Sequence, residues 1–559
     1  MTGDPVRPAD ARLALPALAG WVAALVLVGV PSAALPVALG ALGGVGLALG
    51  VLRRRGSAAR GSAVLAAGIP SLVAIAVVAA AVALAAPART PPVLAPALEE
   101  GGAVPVVLEL EQSVVPPRAT SAPALGGWGG VSADALIVAV EDEAGVMVAV
   151  RVPVRMLGLE LDERLPLGTR LEGRVRLIPL EAGDDRVALV RPVTGLEPAA
   201  AAAPLLGAAD GLRAGFLALM APFSGDGAAL LPGLAIGDTT AVSDDLDAAM
   251  KASALSHLTA VSGANCAIVV GLVLGLGALA RWPRPVRVGV ALAALGGFVV
   301  LVTPEPSVVR AAVMAAVVLL ALASGRPARG LPVLGLAVLG IIVLDPWIAR
   351  EYGFALSVLA TAALLVLAAP LAALLGRVLP AWLALAIAVP LSAQLACQPV
   401  LILLAPEVPL TGVVANVLAA PAAPVATIVG MVACLLAPVI PPLAMLVAGI
   451  AWLPAAWIAG VARVCAGLPG ALLPWPEGVL GALLLAGLTV AGLAAAGVPA
   501  RLGTARLRRR FALATAAVLV IIMGATAGTA ALRGLGRPGD WVVAQCDIGQ
   551  GDAVLVRSA

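Results

Sequence analysis

One short segment concentrates side chains that could do chemistry. Residues 256–265, SHLTAVSGAN, contain His257, which is the single histidine of the 559-residue chain, followed by Ser262, Gly263 and Asn265. The residues after this segment are almost all apolar. Hydrogen-bonding groups inside an apolar segment are costly in lipid and usually face a bundle interior or a water-filled path. Two interpretations follow: the groups join neighbouring helices, or they line a path for a solute.

Other unusual polar positions lie further along the chain. Arg310 stands at the head of an apolar segment, Gln394 lies inside another, and Asn416 lies between prolines. For these three residues a functional role is favoured over simple packing. The charged residues of the segment DPWIARE, 345–351, fit an interfacial loop and a functional site equally well.

The elements that must position these residues are membrane helices. The chain is 61% hydrophobic and 12% charged, with a mean hydropathy of +1.07, whereas a soluble domain is about half apolar and about a quarter charged. A span needs about 20 mostly apolar residues. We predict a mostly α fold, a polytopic transmembrane bundle, with spans near 13–30, 35–52, 64–86, 257–280, 285–303, 307–323, 331–345, 353–375, 381–404, 410–437, 441–465, 476–498 and 511–532. The Pro-rich stretch 420–442 is a candidate broken helix pair.

A different pattern occupies residues 104–193. Short Val- and Leu-rich runs, broken by Gly, Pro and Asp, alternate with the two-residue period of strands. About five such strands indicate a small barrel of OB type. Barrels that bind single-stranded nucleic acid need aromatic platforms and a basic groove, but only Trp128 is nearby and the arginines are mixed with acids. A structural or docking barrel therefore fits at least as well as a DNA-binding one.

The connector and the arginine-rich loops complete the layout. Residues 205–251 are less apolar, and Ser243, followed by acids at 244, 245 and 247, predicts a helix N-terminus. Arginine clusters favour the cytoplasmic side, so the loops 53–55, 281–287, 326–329 and 501–510 are predicted inside. The barrel and the tail after 533 are then extracytoplasmic. The five cysteines form no CxxC pair and are interpreted as apolar filler.

Three segments in a fixed order carry a family resemblance. They read GDTTAVSDDLDAAMKASALSHLTAVSGAN, SVVRAAVM and DPWIAREYGFALSVLATAAL. Together they resemble the competence domain of the ComEC family, the inner-membrane channels for DNA uptake, over roughly residues 231–421. The tail WVVAQCDIGQGDAVLV resembles the first strand and turn of the metallo-β-lactamase-like domain that ends many members. The β segment lies where the family has its OB-like domain.

The resemblance implies a role for individual residues. The family signature falls on Gly237, Asp238, His257, Ser262, Gly263, Asn265, Arg310, Ala311, Asp345, Pro346, Gly353, Phe354 and Ser357. With the polar residues of the later spans, the expected DNA path contains Asp238, His257, Ser262, Gly263, Asn265, Arg310, Ser357, Gln394 and Asn416. His257 would be a gate or a packing contact.

The implied function is conduction of single-stranded DNA across the bacterial cytoplasmic membrane during natural transformation. The implied partners are single-stranded DNA, membrane lipid, a DNA-delivering receptor outside, and a DNA-receiving motor or binding protein inside; a homo-oligomer stays open. No cofactor is expected. A secondary transporter of a small solute and a non-functional truncated relative are the alternatives, although no self-similarity between halves is evident, which counts against a transporter.

The expected domain layout follows from these segments. It comprises 1–90 (N-terminal helices), 100–196 (OB-like), 205–500 (channel), 511–532 (final span) and 540–559 (start of a truncated metallo-β-lactamase-like domain). That last fold binds metal through histidine-rich motifs, and the chain has one histidine, at position 257. The sequence therefore predicts neither a metal site nor enzymatic activity.

Overall fold

The computed structural model describes most of the chain. The described residues are 12–55, 60–114, 131–159, 164–259, 263–302, 306–323, 330–497, 543–547 and 552–556. The predicted last span, 511–532, and Ser262 lie outside them.

Helices dominate the described residues. They are α1 (Ala14–Leu27), α2 (Ala34–Arg55), α3 (Arg60–Arg89), α4 (Ala95–Glu100), α5 (Pro204–Met220), α6 (Asp226–Ile236), α7 (Asp244–Ala252), α8 (Ser256–Thr259), α9 (Gly263–Leu279), α10 (Arg284–Val302), α11 (Pro306–Ala323), α12 (Gly330–Leu344), α13 (Tyr352–Leu375), α14 (Ala381–Leu401), α15 (Gly412–Ala419), α16 (Ala422–Leu436), α17 (Pro441–Ala466) and α18 (Gly478–Ala495). Short 3₁₀ helices occupy Pro31–Ala33, Pro92–Leu94 and Pro346–Arg350.

Seven of the described helices are long and apolar enough to cross a membrane, or up to eight if the bent pair α15 and α16 forms one span. That pair bends by 48° next to Pro421, so the predicted span 410–437 is a broken helix. Proline lacks the N–H that a continuous helix needs. The first apolar helix, α1, is 14 residues long, shorter than the predicted 13–30, because the chain turns before Pro31.

The predicted barrel is present and closed. Its strands are β1 (Ala103–Leu110), β2 (Val131–Glu141), β3 (Met147–Leu159), β4 (Arg170–Pro179) and β5 (Ala188–Pro192), with β6 (Glu197–Ala200) added beside β4. The strand order is β1-β2-β3-β5-β4, and β4 pairs back onto β1. Among the described strand pairs, only β3 and β5 run parallel.

Alternation along the strands places the apolar side chains inside the barrel. In β1, Val106, Leu108 and Leu110 are buried, and in β4, Leu171 and Val175 are buried. The intervening residues of β4 are mostly exposed arginines and a glutamate. The two-residue period of the sequence therefore separates core from surface.

The connector before the competence-like segments is helical. It contains α5, α6 and α7. Ser243 caps α7 as predicted, because its side chain accepts a hydrogen bond from the N–H of Leu246 at 3.3 Å. The carboxylates of the first turn stand next to the positive end of the helix dipole.

The chain divides into two compact units. The first contains Met1–Val400 and Pro409–Leu472, and its helical core packs Phe216, Leu230 and Met250 against small residues of α16 and α17. The second contains Leu401–Val408 and Leu473–Ala559.

Within the second unit, Ile402 and Trp475 are buried together against leucines of α18. The short strands β7 (Glu407–Pro409) and β8 (Leu472–Pro474) pair. In the tail, β9 (Val543–Asp547) and β10 (Asp552–Val556) form an antiparallel hairpin. The strand predicted in the tail is thus present, followed by a second strand.

Candidate functional site

Two of the predicted path residues share one backbone carbonyl, and a third binds backbone close by. The amide nitrogen of Asn416 donates to the carbonyl oxygen of Ala254 at 3.1 Å and to that of Gly412 at 2.9 Å. Nδ1 of His257 lies 3.1 Å from the same Ala254 oxygen. The amide nitrogen of Gln394 donates to the carbonyl of Pro409 at 2.8 Å. We refer to His257, Gln394, Asn416 and the backbone of Ala254 and Gly412 as the Ala254 cluster.

In the Ala254 cluster the backbone at Gly412 lies close to Ala254 and Gln394. A Cβ atom on Gly412 would lie 2.9 Å from the Cβ of Ala254 and 3.1 Å from Oε1 of Gln394. Ala254 itself has a left-handed φ of 55°, a conformation that costs a non-glycine residue energy and needs support from its surroundings. Asn416, which donates to the Ala254 carbonyl, supplies part of that support.

The side chains of the Ala254 cluster differ in their exposure. His257 is exposed, whereas Gln394 and Asn416 are half-buried. The amide nitrogens of Gln394 and Asn416 hold backbone carbonyls. The cluster is thus a structural joint between α8, α14 and α15 with a histidine at its edge.

Asp238 lies elsewhere, in the turn that follows α6. One carboxylate oxygen accepts hydrogen bonds from the backbone and the hydroxyl of Thr240. The other lies 3.8 Å from a guanidinium nitrogen of Arg164, which belongs to the barrel domain. Asp238 therefore faces the barrel.

The remaining predicted residues are dispersed over other helices. Gly263 begins α9, and Asn265, two residues later, is buried in it. Arg310 lies on α11, and its side chain is outside the described part of the structure. Ser357 is half-buried on α13, and its carbonyl accepts a hydrogen bond from the Thr361 hydroxyl at 2.9 Å.

Asp238 belongs to a charged network whose buried centre, Asp210 and Arg213, was not predicted from the sequence. Oδ1 of Asp210 on α5 accepts from the Ser113 hydroxyl at 3.0 Å, from Nη2 of Arg164 at 3.0 Å and from Nη2 of Arg213 at 3.3 Å. Arg213 is 2% exposed. We refer to Ser113, Arg164, Asp210, Arg213 and Asp238 as the α5 network.

The α5 network joins three parts of the first unit. Nη1 of Arg213 donates to the carbonyls of Val300 and Leu301, in the last turn of α10, where a cation stabilises the negative end of the helix dipole. Ser113 and Arg164 come from the barrel domain. The sequence does contain a signal that could have predicted this network: Asp210 and Arg213 lie three residues apart in an otherwise apolar run.

A second contact fastens the barrel to the helices. The loop between β4 and β5 reaches the 3₁₀ helix Pro346–Arg350: the indole nitrogen of Trp347 donates to the carbonyl of Ala182 at 2.8 Å. Trp347 is 3% exposed. The guanidinium carbon of Arg89 lies 4.2 Å from the Trp347 ring centroid, and the same arginine donates to the carbonyls of Asp184 and Asp185.

Arg350 completes this second contact. A Cβ atom on Gly183 would lie 1.7 Å from a guanidinium nitrogen of Arg350, so only glycine admits the arginine at that point. Nε of Arg350 also donates to the Leu25 carbonyl at 3.0 Å. In DPWIARE, Trp347 and Arg350 thus hold the barrel loop, and Asp345 caps the 3₁₀ helix through the N–H of Trp347.

The barrel surface pairs much of its own charge. Arg155 binds Asp134 at 2.7 Å and Arg170 binds Glu109 at 2.9 Å. The hydrogen bond to Asp134 raises the pKa of Arg155 above its ordinary value. Within the described residues, no group of three or more His, Cys, Asp and Glu side chains is arranged to hold a metal ion.

The apolar helices define a multi-pass membrane protein that carries a closed five-stranded barrel. A family model described as Competence protein matches residues 234–498. This match supports the competence family for the region that contains the Ala254 cluster and Asp238. No curated protein and no solved structure matches the chain.

Proposed function

We propose that this protein is a ComEC-type channel that conducts single-stranded DNA across the bacterial cytoplasmic membrane during natural transformation. The observation that carries the proposal is the competence match over residues 234–498, within which polar side chains of α8, α14 and α15 converge. A polyanion needs a polar lining and a few cations along its path.

The predicted path residues divide into two groups in this proposal. Asn265, Arg310 and Ser357 lie on apolar helices and supply the lining. His257, Gln394 and Asn416 form the Ala254 cluster, which holds the helix ends beside the path. Gly263, at the start of α9, begins the lining, and Asp238 connects the path to the barrel domain. Ser262, which lies outside the described residues, is assigned to the path by its sequence.

In this proposal the barrel and each partner lie on a defined side of the membrane. The barrel, whose strand order supports an OB-like assignment, and the tail lie outside the cytoplasm, as the arginine loops predict. The DNA-delivering receptor then acts on the barrel side, and the receiving motor or binding protein acts on the arginine-loop side. Transport is proposed rather than catalysis, and the tail hairpin is assigned to the metallo-β-lactamase-like start by its sequence.

Uptake of labelled DNA tests the proposal. Competent cells that lack their own channel are complemented with this chain, and DNase-protected DNA is measured together with the abundance of the protein in the membrane. Protected DNA is expected. Good abundance without protected DNA would reject the proposal for this chain, and flux of a small solute in proteoliposomes without DNA would favour the transporter.

Arg310→Ala tests the lining. We expect severalfold less protected DNA at unchanged membrane abundance, because a cation that faces a polyanion is lost. Arg54→Ala removes the same charge from the exposed end of α2 and should leave uptake unchanged. Normal uptake by a well-expressed Arg310→Ala variant would end the assignment of Arg310 to the path.

A further inference from the structure

A small cavity lies where α9 turns into α10. It has a volume of about 280 Å³ and is lined by Leu274, Arg284, Arg287 and Val288. Two of its four lining residues carry a permanent positive charge, and the other two are aliphatic. A cavity with this lining matches a ligand that is anionic at one end and apolar at the other.

Arg287, which lines this cavity, has one donor without a partner. Its Nε atom is buried and has no hydrogen-bond partner within the described residues, which costs free energy. Its stem packs tightly on α9: a Cβ atom on Gly277 would lie 2.9 Å from Cγ of Arg287 and 3.0 Å from the Trp282 ring. The side chain is therefore held in place rather than free to turn to solvent.

The stretch of sequence that forms the cavity carries charge of one sign. The turn RWPRPVR adds Arg281 to the two lining arginines, and the sequence from 248 to 304 contains no aspartate or glutamate. Guanidinium groups bind phosphate oxygens through paired, charge-assisted hydrogen bonds. The local charge thus favours an anion.

The surroundings of the cavity favour a lipid as the source of that anion. α10 is one of the candidate spans and α9 is a shorter apolar helix, so the cavity lies at the ends of two apolar helices. Trp282, at the turn, is 41% exposed, and tryptophan is enriched where membrane meets water.

We propose that the cavity of Arg284 and Arg287 binds the phosphate of an anionic phospholipid headgroup. Basic pockets at the ends of membrane helices bind such headgroups on the cytoplasmic side. This site is separate from the proposed DNA path and stands or falls independently of it.

Thermal unfolding of the full chain in nanodiscs tests the site. The protein is placed in phosphatidylcholine discs with and without phosphatidylglycerol, and the shift of Tm is measured. We expect phosphatidylglycerol to raise Tm for the unaltered chain, because a ligand that binds only the folded state stabilises it. Arg287→Gln should lose most of this shift, and Arg377→Gln, at an exposed arginine after α13, should keep it.

A second variant guards against misfolding. Leu274→Phe narrows the cavity without changing charge and should reduce the shift, whereas Arg287→Lys should retain part of it. Equal shifts in the unaltered chain, Arg287→Gln and Leu274→Phe would overturn the proposal. An equal stabilisation by inorganic phosphate in phosphatidylcholine discs, or by an oligothymidylate that needs Arg287, would also overturn it by assigning the cavity to a free anion or to nucleic acid.

Discussion

At the scale of single residues, polar side chains in this protein mostly hold backbone in place. The side-chain amides of Asn416 and Gln394 donate hydrogen bonds to backbone carbonyls at turns. The sequence singles out both residues because they are polar side chains in apolar segments. Their partners could not be predicted, because Ala254 and Asn416 are 162 positions apart in the chain.

Asn416→Ala is expected to destabilise the protein. The carbonyl of Ala254 would lose a donor within a half-buried site, at a cost of about 1–3 kcal/mol. Val414→Ala, at an exposed position on the same helix, should change the free energy of unfolding by no more than about 0.5 kcal/mol. Denaturant unfolding in detergent micelles measures both, and equal stabilities for the two variants would show that the Asn416 contact carries no stability.

Charge in the α5 network is a residue-scale feature with a larger expected effect. Asp210→Asn removes the carboxylate that faces two guanidinium groups, one of them almost fully buried. Removing one partner of a buried ion pair costs about 3–5 kcal/mol. The same unfolding experiment should show this loss. The control variant Glu143→Gln, in the exposed β2–β3 turn, should have nearly the free energy of unfolding of the unaltered protein. A loss below about 1 kcal/mol would contradict this.

At the scale of elements, the 3₁₀ helix Pro346–Arg350 is a docking element for the barrel. Its residues Trp347 and Arg350 contact the β4–β5 loop, where Gly183 leaves room for the arginine side chain. The sequence left an interfacial loop and a functional role equally open for DPWIARE. The structure assigns Trp347 and Arg350 to a barrel contact, which lies about 165 positions away in the chain and leaves no local pattern.

Trp347→Phe should loosen the barrel loop. The ring is kept but the hydrogen bond to Ala182 is lost, so amide hydrogen exchange in residues 181–187 should accelerate. Trp457→Phe removes a similar bond, from the indole to the Leu418 carbonyl at 2.9 Å, far from the barrel in sequence. It should leave exchange of the loop unchanged. Equal exchange in both variants and the unaltered protein would contradict the docking assignment.

At the scale of the whole molecule, the main expectation concerns which side of the membrane each part of the chain occupies. The arginine loops predict that the barrel lies outside the cytoplasm and the end of α2 inside. Single cysteines at Glu143 and at Arg54, in a chain whose native cysteines are replaced, test this with a membrane-impermeant maleimide.

Intact spheroplasts should label Glu143→Cys, while Arg54→Cys should react only after permeabilisation. Both positions are exposed, so a failure to react reports the membrane rather than burial. Labelling of Arg54→Cys in intact spheroplasts would reverse the assigned orientation.

The sequence by itself determined the seven long apolar helices, the barrel strands and the cap of α7, whereas the predicted spans 257–280 and 331–345 contain shorter apolar helices. Each of these rests on a local signal: apolar length, a two-residue period, or a hydroxyl before acids. The tertiary structure alone decided that β4 closes onto β1, that Asp210 meets Arg164, and that His257 and Asn416 share one carbonyl. These pairings join residues distant in the chain, and they arise only when helices and barrel pack, because the free energy of each contact depends on burial that no single segment can provide.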